Sequence, residues 1–260
     1  MNGEMYQICM LVNAARNALR AKKDFFYPGD EYVNSLTFQF LPRKTLLGER
    51  AYTAKDPRDW FRQCVRNGAS DMKFLAPLQE PDRALLGYAN VGRACIAAFH
   101  KDGTVTHWFA AWKFEQPVRK WNVEYQEYKW DNPPARVPRF ENNTEEFVDI
   151  LSRIAGFADE IECKNFGDIF RRASGILNGK SELPDTYPNG KRIRFPDLPE
   201  ESLRLFHAAS TADVFGAMGS WNDSPPYCAH DKGLDAEYEN LSNELLRQIR
   251  LAALYAINEN

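Results

Sequence analysis

The first half of the chain combines two apolar periodicities, one typical of helices and one typical of strands. Residues 4–23 place apolar side chains at three- and four-residue spacing, which predicts a helix. A second helix begins at Asp56-Pro57, because aspartate can cap the amides of a first turn and proline suits that turn. Alternating or continuous apolar runs predict strands over residues 32–41, 72–77, 93–100, 104–115 and 121–130.

The two strands on either side of Gly103 form a predicted β-hairpin, since glycine adopts the positive φ of a tight turn. Both strands are almost continuously apolar, which indicates a sheet that is covered on both faces. His100 and His107 lie on the two arms, where they can approach each other, and we interpret both as packed strand residues. In the next strand the aromatic positions change phase between Tyr125 and Tyr128, which predicts a β-bulge.

The pattern becomes helical after residues 131–138, where three prolines end the strands. Asn143 followed by Glu146 has the form of a helix N-cap with a capping glutamate. The last turns of the final predicted helix are apolar on most sides, which indicates that they are buried. Helices are predicted over about residues 143–157, 166–177, 197–213 and 235–258.

These elements predict an α+β fold built on an antiparallel, twisted sheet over about residues 32–130. The N-terminal helices are expected on one face of this sheet and a C-terminal helical layer on the other, which accounts for the apolar hairpin. We expect a single domain over residues 1–260, with a sheet-rich half (1–138) and a helical half (139–260).

Cysteine usage favours a reduced, cytoplasmic protein, and we expect one of bacterial type. The cysteines are scattered and contain no C-x-x-C pair, so neither a disulfide framework nor a zinc site is indicated. No stretch reaches the roughly 20 apolar residues of a membrane span, and the start lacks a signal sequence. We therefore expect a soluble chain whose partner is a protein or small molecule and not a membrane. The five cysteines are Cys9, Cys64, Cys95, Cys163 and Cys228.

Nucleic acid is a weaker candidate partner. The aromatic residues of strand 121–130 have lysines nearby, as on surfaces that stack bases, and the N-terminal helix is basic. The signatures of RNA-recognition modules are missing, and a net charge of −3 argues against a large phosphate footprint. We interpret the aromatic residues as core residues of a sheet.

The segment 214–233 is the best candidate for a functional site. It lies between two predicted helices and combines three glycines, two prolines, three aromatic residues, a cysteine and a histidine. A long loop of this composition is typical of an ordered functional loop. Gly216 and Gly219 allow a tight reversal, after which Trp221 packs on the core while Asn222 and Asp223 bond loop amides. The predicted binding residues are Trp221, Asn222, Asp223 and Tyr227.

The same segment offers weaker candidates for chemistry. Cys228, His230 and Asp231 supply a thiol, an imidazole and a carboxylate, and His207 on the preceding helix can join them. Catalytic triads are assembled from distant positions, and no signature of a catalytic cysteine is present. The spacing of these groups does not favour a metal site, and the glycines follow a helix without the lysine that a phosphate-binding loop requires.

Two functional hypotheses follow. The leading one is a non-catalytic binding or interaction protein that uses loop 215–231, without a cofactor or metal. The alternative is a Cys/His-dependent hydrolase or transferase with its site in the same loop.

Overall fold

The structure, a computed structural model, describes residues 1–21, 24–45, 48–134, 136–183 and 196–260. Within these ranges the chain has seven α-helices, one short 3-10 helix and a six-stranded sheet. The chain divides into two compact units, which we call the sheet unit and the helical unit. The sheet unit is Glu4–Leu75 with Gly92–Pro138, and the helical unit is Met1–Gly3, Ala76–Val91 and Arg139–Asn260.

The sheet unit contains two helices and all six strands. Its helices are α1 (Gly3–Ala21), of which all but the first residue lies in this unit, and α2 (Pro57–Arg66). Asp56 caps α2 as predicted, because its carboxylate accepts a hydrogen bond from the Asp59 amide at 2.8 Å. The strands are β1 (Val33–Thr45), β2 (Gly48–Ala54), β3 (Ala69–Leu75), β4 (Cys95–His100), β5 (Val105–Glu115) and β6 (Lys120–Lys129).

The sheet is mixed, so the predicted α+β class is confirmed and the predicted antiparallel sheet is wrong at one pair. The strand order is β2-β1-β6-β5-β4-β3, and β1 pairs with β6 in parallel. Every other neighbouring pair is antiparallel. Antiparallel pairing produces two ribbons, one of β1 and β2 and one of β3, β4, β5 and β6. The parallel pair joins the ribbons through strands that are distant in sequence, so the hairpin signals do not reveal it.

Aromatic side chains fill the contact between the helices and the sheet within the sheet unit. Trp60 of α2 stacks on Phe38 of β1 at a ring-centroid distance of 4.8 Å, and Phe38 stacks on Tyr125 of β6 at 5.1 Å. In α1, the buried Arg16 bonds Asp71 at 2.7 Å and the Met72 carbonyl at 2.9 Å. Rings and a paired cation therefore hold both helices to the strands.

Burial differs between the two arms of the hairpin. Every residue of β4 is buried, as the apolar pattern predicts. The second half of β5 is buried on one face only: Trp112 is buried, whereas Ala111 and Lys113 are exposed. The prediction that both arms are covered on both faces is therefore wrong for this half of β5. Alanine counts as apolar in the pattern, but its small side chain does not require burial.

Two finer predictions about the strands are also wrong. No bulge interrupts the pairing of β5 with β6, which runs without a register shift. Instead Glu127 takes the buried position after Tyr125 and accepts a hydrogen bond from the Leu41 amide at 3.0 Å, so Tyr128 faces the other way. His100 and His107 do not meet, because alternation along the ladder places their side chains on opposite faces.

The helical unit contains five α-helices: α3 (Thr144–Glu160), α4 (Lys164–Leu177), α5 (Glu200–Ala212), α6 (Pro225–Asp231) and α7 (Asp235–Asn258). α7 packs against α3 and α5, and its last turns are largely buried, as predicted. Asn143 is the N-cap residue of α3, as predicted, but its side chain makes no capping bond. It donates to the Gln248 carbonyl at 3.0 Å instead, and the Asn142 side chain accepts from the Thr144 amide. The single domain over residues 1–260 and the packing of a helical layer on one face of the sheet remain predictions.

Candidate functional site

The segment 214–233 connects α5 to α7 and lies within the helical unit. It folds as a tight reversal followed by α6, which the sequence pattern does not predict. Pro225 and Pro226 occupy the first turn of this short helix, where their missing amides cost nothing. The irregular parts of the segment are therefore residues 214–224 before α6 and residues 232–233 after it.

Trp221 is the anchor of this segment. Its side chain is fully buried, and its indole N–H donates to the Ser242 hydroxyl at 2.8 Å. The Trp221 ring stacks on Tyr238 of α7, whose hydroxyl donates to the Trp221 carbonyl at 2.7 Å. Two edge-on rings from α4, Phe166 and Phe170, complete the contacts at 5.2 Å and 5.3 Å. Trp221 thus packs on the core, as predicted, and no part of its ring is exposed to a partner.

Asn222 and Asp223 hold the reversal by bonding the backbone. The Asn222 amide group donates to the Arg83 carbonyl at 2.9 Å, and a carboxylate oxygen of Asp223 accepts from the Gly219 amide at 2.7 Å. Gly219 has a φ of +78°, a conformation that residues with a side chain rarely adopt. The predicted bond to a loop amide is confirmed for Asp223 and is wrong for Asn222, whose side chain donates to the carbonyls of Arg83 and Gly216.

The reversal also rests on the 3-10 helix Arg83–Gly87. A side chain at Gly87 would place its Cβ 2.3 Å from the Ala217 nitrogen, so the two backbones are in direct contact. Arg83 is buried, bonds Glu239 at 3.0 Å and lies over the Tyr238 ring at 5.8 Å. The 3-10 helix and the reversal therefore share Tyr238 as a common support.

Two large side chains of the loop remain exposed. Met218 is 94% exposed at the tip of the reversal, and Tyr227 is 74% exposed on α6. The backbone that carries both side chains is held in place. It is fixed by the contacts of Trp221, by the hydrogen bonds of Asn222 and by α6. Of the four predicted binding residues, only Tyr227 is exposed. Met218 was not predicted, although a large apolar residue between Ala217 and Gly219 in a turn is a recognisable signal.

The candidate catalytic groups do not form a triad. His230 is 76% exposed, and its Nδ1 lies 2.9 Å from an oxygen of Asp235. Within the described residues no hydrogen bond joins Cys228, His230 and Asp231 to one another. A nucleophile needs a base within hydrogen-bond reach, and this arrangement does not provide one.

His207 lies apart from these groups, in the middle of α5. Its Nδ1 is 3.2 Å from the hydroxyl of Thr211, one turn later on the same helix. Burial lowers the pKa of His207, so the imidazole is held in its neutral form at neutral pH. Across the described ranges, no three or more His, Cys, Asp and Glu side chains come together as metal ligands would.

A polar cleft lies beside the 3-10 helix and α7. It has a volume of about 360 Å³, and Pro81 is its sole apolar side chain among the described residues. Its cations are paired within it, Arg83 with Glu239 and Arg247 with Glu244. Because these charges are already satisfied, the cleft attracts an ionic ligand less than its residue types suggest. The lining residues are Gln79, Glu80, Pro81, Arg83, Glu239, Asn240, Asn243, Glu244 and Arg247.

Comparison with protein-family models, with curated proteins and with solved structures finds no match to this chain. None of the helices in the described ranges has both the length and the apolar character needed to cross a bilayer. Functional inference therefore rests on the geometry of loop 215–231.

Proposed function

We propose that this protein is a non-catalytic binding protein that contacts a protein partner through loop 215–231. The observation that carries the proposal is the complete burial of Trp221 within the same loop that exposes Met218 and Tyr227. An irregular segment fixed by a buried indole, a 3-10 helix and side-chain bonds is ordered before a partner arrives. Preorganisation of this kind lowers the entropy lost on binding.

The chemistry of the two exposed side chains fits a protein surface. Methionine and tyrosine are enriched at the centres of protein interfaces, and tyrosine is frequent among residues that carry much of the binding energy. The partner that suits them offers an apolar pocket with a hydrogen-bond acceptor for the Tyr227 hydroxyl. Met218 and Tyr227 contact the partner directly. Trp221, Asn222 and Asp223 hold the loop in the conformation that presents them.

The alternative function, a Cys/His-dependent hydrolase or transferase, has less support. The exposed His230 is bonded to Asp235, and among the described residues no hydrogen bond joins the Cys228 side chain to a histidine. His207 is held by Thr211 within its own helix. Both histidines that the alternative requires therefore have partners other than Cys228.

We also propose the setting in which this binding takes place. The five cysteines are free thiols, four of them buried, which supports the proposal of a reducing compartment such as the cytoplasm. We propose that residues 1–260 act as one domain. In a calorimetric scan we expect a single cooperative transition, and two separate transitions would contradict the single domain.

The binding proposal is tested with the double variant Met218→Ala/Tyr227→Ala of the full chain. Removal of two interface side chains of this type typically costs at least about 2 kcal/mol, which corresponds to at least about 30-fold weaker binding. Proteins captured by the native chain from its source cells are quantified by mass spectrometry and compared with those captured by the variant. The abundance of the specific partner is expected to fall at least about 30-fold.

The matched control is Phe26→Ala, which removes an equally exposed aromatic residue from the sheet unit. This control is expected to capture the partner as the native chain does. The proposal is overturned if the native chain and the double variant capture the same set of proteins while both give the native circular dichroism spectrum.

A further inference from the structure

One face of the sheet carries solvent-exposed side chains over strands β1, β6 and β5. Strand alternation places Phe38 and Tyr125 on the face that packs against α2, and their neighbours in each strand on the opposite face. On that opposite face, Glu124, Gln126 and Tyr128 of β6 are all exposed. The interpretation of the aromatic residues of this strand as core residues is therefore confirmed for Tyr125 and wrong for Tyr128, which is 41% exposed. The open face, as we call it, is this side of residues 35–39, 107–115 and 122–128.

Aromatic rings form a cluster at one end of the open face. His107 contacts Phe109 and Trp130, with ring-centroid distances of 5.0 Å and 5.5 Å. Tyr128 lies beside Phe109 at 6.0 Å. The ring planes in these three pairs are inclined by 65°, 38° and 65°. Because a run of nucleic-acid bases needs successive ring faces on which to stack, this inclined cluster suits one ligand ring against Tyr128 better than a row of bases.

Amide and carboxylate side chains continue the open face beside this cluster. Gln126 lies between Gln39 and Phe109 in the strand register. The Gln39 side chain donates to one oxygen of Glu124 at 2.7 Å, and the Tyr128 hydroxyl donates to the Gln126 side-chain oxygen at 3.0 Å. Within the described chain no hydrogen bond uses the Gln126 side-chain nitrogen or the second oxygen of Glu124. The open face therefore keeps a positioned donor and a positioned acceptor for a ligand.

The charges of the open face favour a neutral ligand. Its charged side chains are one lysine and two glutamates, Lys113, Glu115 and Glu124. Burial lowers the pKa of His107, so this imidazole adds no positive charge at neutral pH. A surface with more carboxylates than cations repels the phosphates of a nucleic acid. A hydroxyl group both donates and accepts, so it matches the free donor of Gln126 and the free acceptor of Glu124.

We propose that the open face binds a neutral oligosaccharide of glucose units. The ring substituents of β-glucose are equatorial, which leaves flat C–H faces, and these weakly positive C–H groups pack against the negative face of the Tyr128 ring. Gln126 donates to one sugar hydroxyl, and Glu124 accepts from another. All of these residues lie in the sheet unit, so the inference does not depend on the proposed role of Met218 and Tyr227 in the helical unit.

The test titrates the full chain with two neutral glucose hexamers, the β-linked cellohexaose and the α-linked maltohexaose, in an isothermal titration calorimeter. At least one of them is expected to bind with a dissociation constant of about 1 mM or lower. A mixed-sequence single-stranded DNA is titrated in parallel and is expected to give no binding heat. Absence of binding by both hexamers, or binding of the DNA alone, would overturn the proposal.

The variant Tyr128→Ala is expected to bind the hexamer about tenfold more weakly, because it removes the stacking ring. The matched control is Phe114→Ala on β5, which removes a ring that is 40% exposed on the opposite face of the sheet, and it is expected to bind as the native chain does. If Tyr128→Ala does not fold, Gln126→Ala decides, with binding expected to weaken at least about threefold. Native affinity in the folded variant of the open face, or equal weakening by Phe114→Ala, would contradict the assignment to this face.

Discussion

Replacing Trp221 with alanine is expected to lower the free energy of unfolding by about 3–5 kcal/mol, as for other large aromatic residues in a core. The substitution removes a fully buried ring that contacts three aromatic residues, and it leaves a cavity behind. It also leaves the Ser242 hydroxyl without the indole donor. Urea unfolding followed by circular dichroism measures this loss through the midpoint and slope of the transition.

The matched control for this variant is Tyr227→Ala on the same segment. Tyr227 is largely exposed, so its truncation is expected to change the free energy of unfolding by no more than about 0.5 kcal/mol. A difference between the two variants of less than about 1 kcal/mol would show that Trp221 is not an anchor.

The substitution Gly87→Ala is expected to destabilise the helical unit by about 1–3 kcal/mol, the usual cost of forcing atoms into a filled site. The new Cβ would lie 2.3 Å from the Ala217 nitrogen and 2.8 Å from the Gly216 carbonyl carbon. Both are backbone atoms, so the contact cannot be relieved by a side-chain rotation. The 3-10 helix and the reversal have to separate, and the Asn222 bond to the Arg83 carbonyl is expected to weaken with them.

Gly156→Ala provides the control, because Gly156 lies within α3 and no atom beyond the neighbouring backbone of that helix lies within 4 Å of the position of its Cβ. This exposed helical site is expected to gain about 0.4–1 kcal/mol from alanine. Opposite signs for the two substitutions in the same unfolding assay are the expected result. A native stability for Gly87→Ala would contradict the contact between Gly87 and Ala217.

The turn chemistry of the site could be predicted from the sequence, whereas its long-range contacts could not. Glycines before an aromatic residue, followed by Asn222 and Asp223, indicate a reversal that buries Trp221. The contribution of Arg83 is invisible in the pattern, because its bonds join residues more than 130 positions apart. Two prolines after Ser224 are a signal for α6, since proline suits a first helical turn.

The strands show the same division between local and distant information. The hairpin β4–β5 follows from apolar runs and one turn glycine, whose φ of +82° matches the prediction. β2 was not predicted, because Tyr52 is its sole large apolar side chain and its other residues are small or polar. No local sequence pattern predicts the parallel pairing of β1 with β6, because this pairing depends on which edges of the two antiparallel ribbons meet.

Amide hydrogen exchange over residues 214–224 in the free protein tests the central claim most directly, namely that loop 215–231 is held rigid before binding. The Trp221 amide, which donates to the Val214 carbonyl, and the Asp223 amide, which donates to the Ser220 carbonyl, are expected to exchange at least about 100-fold more slowly than an unstructured chain. Exchange of both amides at the rate of an unstructured chain would contradict the account.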